Sequence, residues 1–124
     1  MARILVIDDV AGVRRSISAI VRRSGHEVME AADGREGEEV ARTARPDLII
    51  TDLLMPGADG LDTIDRIREA GIGCPVIAVS GGGSLVAAQD ALSAAAHVAD
   101  ATLRKPFESE ELNAVVDRLL GGRA

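Results

Sequence analysis

Residues 48–60 join a short apolar run to an acidic turn and read Leu48-Ile49-Ile50-Thr51-Asp52-Leu53-Leu54-Met55-Pro56-Gly57-Ala58-Asp59-Gly60. An unbroken apolar run of this length is typical of a parallel strand that is covered on both faces. Two other runs have the same form: Ile4–Ile7 ends in Asp8-Asp9, and Val76–Val79 ends in Ser80. The chain therefore places polar side chains where its apolar strands end.

Segments of helical period alternate with these strands along the whole chain. We predict strands near residues 3–8, 27–32, 47–52, 75–80 and 99–104, and helices near 11–24, 34–44, 59–70, 84–96 and 108–120. The segment Glu27–Ala31 alternates in polarity, as an edge strand does. Five β-α units in series predict an α/β fold, a doubly wound parallel sheet with right-handed crossovers.

The helix ends carry recognisable signals. Gly25 is expected to end the first helix in a left-handed conformation, and Asp33 with Glu36 has the spacing of a capping box. Ser84 and Ser109 are candidate N-caps of the last two helices. The first helix also carries four arginines off its apolar face, which either dock an acidic partner or form a solvated surface, the second being favoured: Arg14, Arg15, Arg22 and Arg23.

Size and composition exclude several classes of protein. The 124 residues suffice for one domain, and the net charge of −6 argues against a nucleic-acid binder. The chain has no Trp, no Tyr and one Phe, so it lacks aromatic platforms on which bases could stack. No apolar stretch approaches membrane-spanning length, and no signal peptide precedes the first strand. A single cysteine, Cys74, excludes an internal disulfide and fits a cytoplasmic location.

The polar residues at the strand ends form a plausible chemical site. In an open α/β sheet the functional crevice lies at the carboxyl ends of the strands, where these five residues fall: Asp8, Asp9, Asp52, Ser80 and Lys105. Clustered carboxylates repel one another, and a hard divalent cation such as Mg²⁺ relieves this repulsion. A carboxylate can also attack phosphorus to form an aspartyl-phosphate. This set therefore fits divalent-cation binding and phosphorylation of a carboxylate.

In this order the residues resemble the receiver domain of bacterial two-component response regulators. Four pieces carry the resemblance: Asp8-Asp9, Asp52-x-x-Met55-Pro56-x-x-Asp59-Gly60, Ser80, and Lys105-Pro106-Phe107. The resemblance runs from Arg3 to about Leu120, so we expect residues 1–124 to form one receiver domain. It implies a flavodoxin-like sheet of order 2-1-3-4-5 flanked by five helices.

The resemblance also implies a role for each matched position. Asp52 corresponds to the phosphoacceptor, Ser80 to the hydroxyl that follows the phosphoryl group, and Lys105 to its ammonium partner, with a cis Lys105–Pro106 bond. The implied cofactor is Mg²⁺ or Mn²⁺. Its ligands would be Asp9 directly, Asp8 partly through water, Asp52, and the backbone carbonyl of Leu54.

The chain departs from the family pattern at the switch. Receivers usually carry an aromatic residue three positions before the lysine, where this chain has Thr102. The positions that tune dephosphorylation are Leu54 and Gly82, neither of which can orient water with a polar side chain, so we expect a long-lived phosphorylated state. Gly81 and Gly82 are interpreted as a loop that accompanies Ser80, because they lack the lysine of a phosphate-binding P-loop.

The leading hypothesis is therefore a phosphorylation switch. A sensor histidine kinase or histidine phosphotransfer protein would donate to Asp52, and output would pass to a protein that contacts the fourth helix, fifth strand and fifth helix. We expect no enzymatic turnover beyond self-phosphorylation and slow self-dephosphorylation, and no nucleic-acid or membrane partner. Met1 and the end soon after the last helix favour a stand-alone regulator.

Two alternatives belong to other classes. A binding module that no longer depends on phosphorylation is favoured by the missing aromatic at Thr102 and disfavoured by the complete set of acids, hydroxyl and lysine. A flavodoxin-like cofactor binder would need a Ser/Thr/Gly-rich loop after the first strand, where this chain has Asp8-Asp9-Val10.

Overall fold

A computed structural model describes residues 2–53, 60–80 and 99–121, without the side chains of Gly60 and Leu61. In chain order the elements are β1 (Arg3–Ile7), α1 (Ala11–Arg23), β2 (Glu27–Ala31), α2 (Gly34–Ala44), β3 (Leu48–Asp52), α3 (Gly60–Glu69), β4 (Val76–Ser80), β5 (Ala101–Arg104) and α4 (Ser109–Gly121). The helix predicted near 84–96, with its cap at Ser84, lies outside the described residues. The label α4 therefore denotes the C-terminal helix, which is the last helix of the sequence prediction.

The strands form one parallel five-stranded sheet in the order β2-β1-β3-β4-β5, as predicted. The register pairs Ile7 of β1 with Thr51 of β3, and Asp52 of β3 with Val79 of β4. All the strands point the same way, so the residues that end or follow them share one edge of the sheet. Every residue of β3 and β4 is buried, which explains their unbroken apolar sequences.

Helices cover the sheet on both faces and create two cores. On one face α2 and α3 pack against the first core, whose sheet residues include Leu5, Ile7, Ile49, Val76 and Ala78. On the other face α1 and α4 pack against the second core, whose sheet residues include Ile4, Val6, Leu48, Ile50, Ile77 and Val79. Successive strand residues point to opposite faces, so each apolar run supplies both cores at once. Helix α2 can lie close to β1 because Gly37 has no side chain; a Cβ at this position would collide with Ile7.

The two edge strands differ from the buried ones. The predicted edge position of β2 is confirmed, although burial does not alternate along it: only Ala31 is buried, and Val28, Met29 and Glu30 are half-buried. At the other edge β5 buries Leu103 between exposed neighbours. Thr102 is exposed there and therefore does not fill the space of a buried aromatic ring.

The predicted helix ends are largely confirmed. Gly25 has φ +92° directly after the C-cap of α1, a conformation that glycine adopts without a Cβ clash. Asp33 Oδ1 accepts from the Glu36 N–H at 2.8 Å, whereas Glu36 Oε1 accepts from the N–H of Ala32, one residue earlier than in a standard capping box. Ser109 is the first residue of α4, so Glu108 and not Ser109 occupies the capping position.

The described helices are short compared with the thickness of a bilayer. None of those in residues 2–53, 60–80 and 99–121 is both long and apolar enough to cross a membrane.

Candidate functional site

Three carboxylates meet at the carboxyl edge of the sheet. Asp8 and Asp9 follow β1 directly, and Asp52 closes the neighbouring strand β3. One oxygen from each side chain lies within 4.8 Å of the other two. Asp8 and Asp52 are only 1% and 4% exposed, while Asp9 is exposed to solvent. The sequence prediction that these acids converge is therefore confirmed.

Lys105 reaches the same place from β5. Its backbone N–H donates to the Ser80 carbonyl at 2.7 Å, which fixes the residue beside the end of β4. Its Nζ lies 3.1 Å from Asp8 Oδ2 and 3.8 Å from Asp52 Oδ2. The Lys105–Pro106 peptide bond is cis, as the resemblance implied. One ammonium is thus shared by two buried carboxylates.

Ser80 is the last residue of β4 and is fully buried. Its neighbour Val79 pairs with Asp52 in the sheet, and the Val79 carbonyl accepts from the N–H of Leu53 at 2.9 Å. Ser80 therefore stands one residue beyond the partner of Asp52, on the adjacent strand. This position puts the residue at the same carboxyl edge of the sheet as the acids and the lysine.

The charges of this pocket do not balance among the described residues. Three carboxylates face a single ammonium, and two of the carboxylates are almost fully buried. Like charges held this close in a poorly solvated site repel strongly. Carboxylate oxygens are the ligands that hard divalent cations prefer, so this acidic pocket is compatible with divalent-metal binding by Asp8, Asp9 and Asp52.

A hydrogen-bond network behind the acids was not anticipated. The sequence favours a solvated face for the four arginines of α1, but the Arg14 side chain is only 17% exposed. Its Nη1 donates to the Asp8 carbonyl at 2.8 Å and its Nε to Glu30 Oε1 at 3.0 Å. The sequence held one signal for this contact: an acid, Glu30, near the end of an edge strand that follows an arginine-bearing helix.

Several predicted positions cannot be placed. Leu54, with its expected carbonyl ligand, and the loop residues Gly81 and Gly82 lie outside the described residues, as do Met55 to Asp59. Pro106 is described and exposed, directly after Lys105.

An apolar groove adjoins the acidic pocket. It has a volume of about 330 Å³ and lies between α1 and the residues that follow β5. Its lining consists of Gly12, Val13, Ser16, Ile17, Ile20, Lys105, Pro106 and Phe107. Lys105 therefore borders both the groove and the acids.

Similar proteins agree with this geometry. A family model described as the response regulator receiver domain matches residues 4–117, and the chain belongs to that family. The DNA-binding dual master transcriptional regulator RpaA of Synechocystis is 36% identical over 122 residues, which cover 97% of this chain and 49% of RpaA. The chain thus spans about half the length of this curated relative.

Two further matches extend over nearly whole proteins. Sporulation initiation phosphotransferase F of Bacillus subtilis is 29% identical over 120 residues, which cover 95% of this chain and 93% of that protein. The solved structure of Vibrio cholerae chemotaxis protein CheY4 has a TM-score of 0.83 and 32% identity, and the match covers 97% of this chain and 99% of that one. The chain is a receiver domain of two-component signalling, a class that works with histidine kinases or phosphotransfer proteins.

Proposed function

We propose that this receiver domain accepts a phosphoryl group on Asp52 from a sensor histidine kinase or a histidine phosphotransfer protein, with Mg²⁺ or Mn²⁺ as its cofactor. The observation that carries the proposal is the meeting of Asp8, Asp9 and Asp52 within 4.8 Å beside the Lys105 ammonium. A purely structural scaffold gains nothing from three crowded acids, which lower its stability through repulsion.

The reaction transfers phosphorus from one nucleophile to another. An oxygen of the Asp52 carboxylate attacks phosphorus, the bond to the donor's imidazole nitrogen or to a small donor's oxygen breaks, and the bonding electron pair leaves with the donor. The product is a mixed anhydride, an aspartyl-phosphate. Little covalent help is needed, so the protein contributes position and charge.

The surrounding residues supply that charge and position. The Lys105 ammonium, 3.8 Å from Asp52 Oδ2, is placed to pair with one oxygen of the incoming phosphoryl group. The Ser80 hydroxyl is a candidate donor to a second oxygen. Asp8 and Asp9, with Asp52, would hold the divalent cation, which neutralises phosphoryl charge when bound.

The donor protein has to touch the rim of this pocket. Val10, directly after Asp9, is the one large hydrophobic side chain that is exposed among the described residues. The apolar groove along α1 begins at Gly12 and extends to Lys105, Pro106 and Phe107. We propose that the donor contacts this apolar rim while its phosphohistidine reaches Asp52.

Signal output is proposed to be a change in protein contact. Phosphorylation of Asp52 at the end of β3 would shift the face that includes β5 and the C-terminal helix, where Thr102 is exposed. The protein then acts as a switch without catalytic turnover on a separate substrate. A cytoplasmic location and a single domain over residues 1–124 remain sequence predictions.

Intact mass spectrometry with a small phosphodonor and Mg²⁺ tests the proposal. We expect a single phosphoryl adduct on the wild type, none on Asp52→Ala, and none when a chelator removes the cation. Asp117→Ala is the matched control, because Asp117 is an exposed aspartate on α4 far along the chain from the pocket, and it should be phosphorylated normally.

Two results would contradict this function. An adduct that persists in Asp52→Ala would place the phosphoryl group elsewhere. A wild type that binds Mg²⁺ but takes no phosphoryl group would favour the phosphorylation-independent binding module. Decay of the adduct also tests the expected long lifetime, which a half-life of seconds would contradict.

A further inference from the structure

Arg14 connects the turn at Asp8–Val10, which carries two of the proposed metal ligands, to the edge strand β2. The guanidinium donates from Nη1 to the backbone carbonyl of Asp8 and from Nε to Glu30 of β2. Glu30 is 26% exposed and also has Arg22 Nη2 within 3.8 Å of its second oxygen. The planar guanidinium donates in two fixed directions, so it holds the Asp8 carbonyl at a set distance from β2.

The Arg14 guanidinium donates to the backbone carbonyl of Asp8 and not to its carboxylate. The Asp8 carboxylate has other partners: Oδ1 accepts from the Val10 N–H at 2.9 Å, and Oδ2 lies 3.1 Å from Lys105 Nζ. The Asp8 N–H donates to the Ala31 carbonyl at 3.1 Å. The contacts of Arg14 and Ala31 are to the backbone of Asp8, so they occupy no carboxylate oxygen that a cation would need.

Helix α1 begins almost directly after Asp9. The Arg14 backbone N–H donates to the Val10 carbonyl at 2.9 Å, which closes the first helical turn directly after Asp9. Asp9 itself is exposed and has no hydrogen bond or ion pair to the described residues that would orient it. Its position therefore depends on the backbone between Asp8 and Val10, where the Arg14 guanidinium holds the Asp8 carbonyl.

We propose that Arg14, held by Glu30, is a positioning residue that orients Asp8 and Asp9 for the divalent cation. The proposal rests on the function assigned above to this pocket. Residues that orient metal ligands typically change metal affinity when they are replaced, although they do not touch the ion.

An effect through charge and an effect through positioning predict opposite changes in cation affinity when Arg14 is replaced. If Arg14 acted only through its charge, its removal would strengthen cation binding, because one nearby positive charge would be lost. If it positions the turn, its removal weakens binding. The sign of the change in Mg²⁺ affinity therefore separates the two roles.

The experiment is a calorimetric titration of the full chain with Mg²⁺ alone, at a temperature where circular dichroism shows every apo variant folded. We expect Arg14→Gln to raise the Kd about ten-fold, the lower end of the usual effect of ligand-orienting residues. Arg14→Lys keeps the charge but not the two-directional donor geometry, so we expect a similar loss. Arg15→Gln is the matched control, because Arg15 is exposed and has no bond to the described residues, and its Kd should stay within about two-fold of wild type.

Substitution of Glu30 tests whether Arg14 and Glu30 act together. Glu30→Gln should weaken binding alone but add nothing to Arg14→Gln, because Glu30 works through the guanidinium. Additive losses would contradict that link.

The remaining outcomes decide between the proposals. An Arg14→Gln Kd that is unchanged or lower would overturn the positioning role, as would a wild-type Kd in Arg14→Lys. If Arg14→Gln does not fold, Arg14→Lys decides the question. If the wild type itself binds no Mg²⁺, the proposed function of the pocket fails instead.

Discussion

Both ends of the sheet carry a cation beside carboxylates, but the two ends are balanced differently. At the amino end of β4, Arg68 Nη1 donates to the carbonyls of Ile72 and Cys74 at 3.1 and 2.7 Å. Its Nη2 lies 3.0 Å from Asp100 Oδ2, which also accepts from the Val76 N–H at 2.8 Å. One arginine here meets one carboxylate, and its Nη1 donates to backbone carbonyls.

The carboxyl end holds more acid than base. Among the described residues Lys105 is the one cation within 4.0 Å of the pocket's three carboxylates. The comparison indicates that a cluster with equal positive and negative charge stabilises the fold. A cluster with excess negative charge is destabilised by repulsion, which a bound cation can relieve. Two substitutions, one at each end, can break or sharpen this contrast.

Lys105→Ala carries the largest expected effect. The phosphorylation rate from a small donor should fall about 100-fold, since a cation aimed at developing charge is lost. Mg²⁺ affinity should rise at the same time, because the ammonium no longer competes for Asp8 Oδ2. Rates come from the intact-mass time course and Kd from calorimetry.

Arg104→Ala is the control for that substitution, since Arg104 is exposed and immediately precedes Lys105. Arg104→Ala should leave the phosphorylation rate and the Mg²⁺ affinity near their wild-type values. A Lys105→Ala rate within two-fold of wild type would remove the lysine from the proposed chemistry.

Arg68→Met has a smaller effect, on stability alone. The side chains of Arg68 and Asp100 are 32% and 43% exposed, so solvent screening limits the loss. We expect the free energy of unfolding to fall by about 1–2 kcal/mol, measured by urea denaturation, with Mg²⁺ affinity unchanged.

Arg42→Met provides the matched control for the amino end. Arg42 pairs with Glu38 one helical turn away at 3.4 Å, an i,i+4 contact within one helix that should contribute at most about 0.5 kcal/mol. Equal losses in the two variants would mean that the Arg68 cluster is no more than a surface ion pair.

The sequence was sufficient to predict the sheet and the acids at its edge. The strands of this fold are buried on both faces, so β1, β3 and β4 appear as apolar runs, and the polar residues after them stand out. Parallel pairing then requires that Asp8, Asp52 and Ser80 share an edge. The strand order came from the resemblance, because periodicity fixes element types but not which strands are neighbours.

The Arg14 contacts could not be read from the sequence. Four arginines on one helix have the same propensity, and only the crossing of α1 over β2 selects Arg14 as the one that donates to both Glu30 and the Asp8 carbonyl. The shifted cap at Ala32 has a similar cause, since one rotamer of Glu36 decides which N–H it reaches. Such details depend on side-chain geometry that residue type does not determine.

The most direct test is thermal unfolding of wild type, Asp52→Asn and Asp100→Asn, with and without Mg²⁺. Without the cation we predict that Asp52→Asn is more stable than wild type, because repulsion is relieved, and that Asp100→Asn is less stable. Mg²⁺ at about a hundred times its Kd should stabilise wild type and Asp100→Asn by about 2.7 kcal/mol, and Asp52→Asn by less. If Asp52→Asn is the less stable protein without Mg²⁺ and the cation leaves wild type unchanged, the carboxyl end is not an unbalanced cation site.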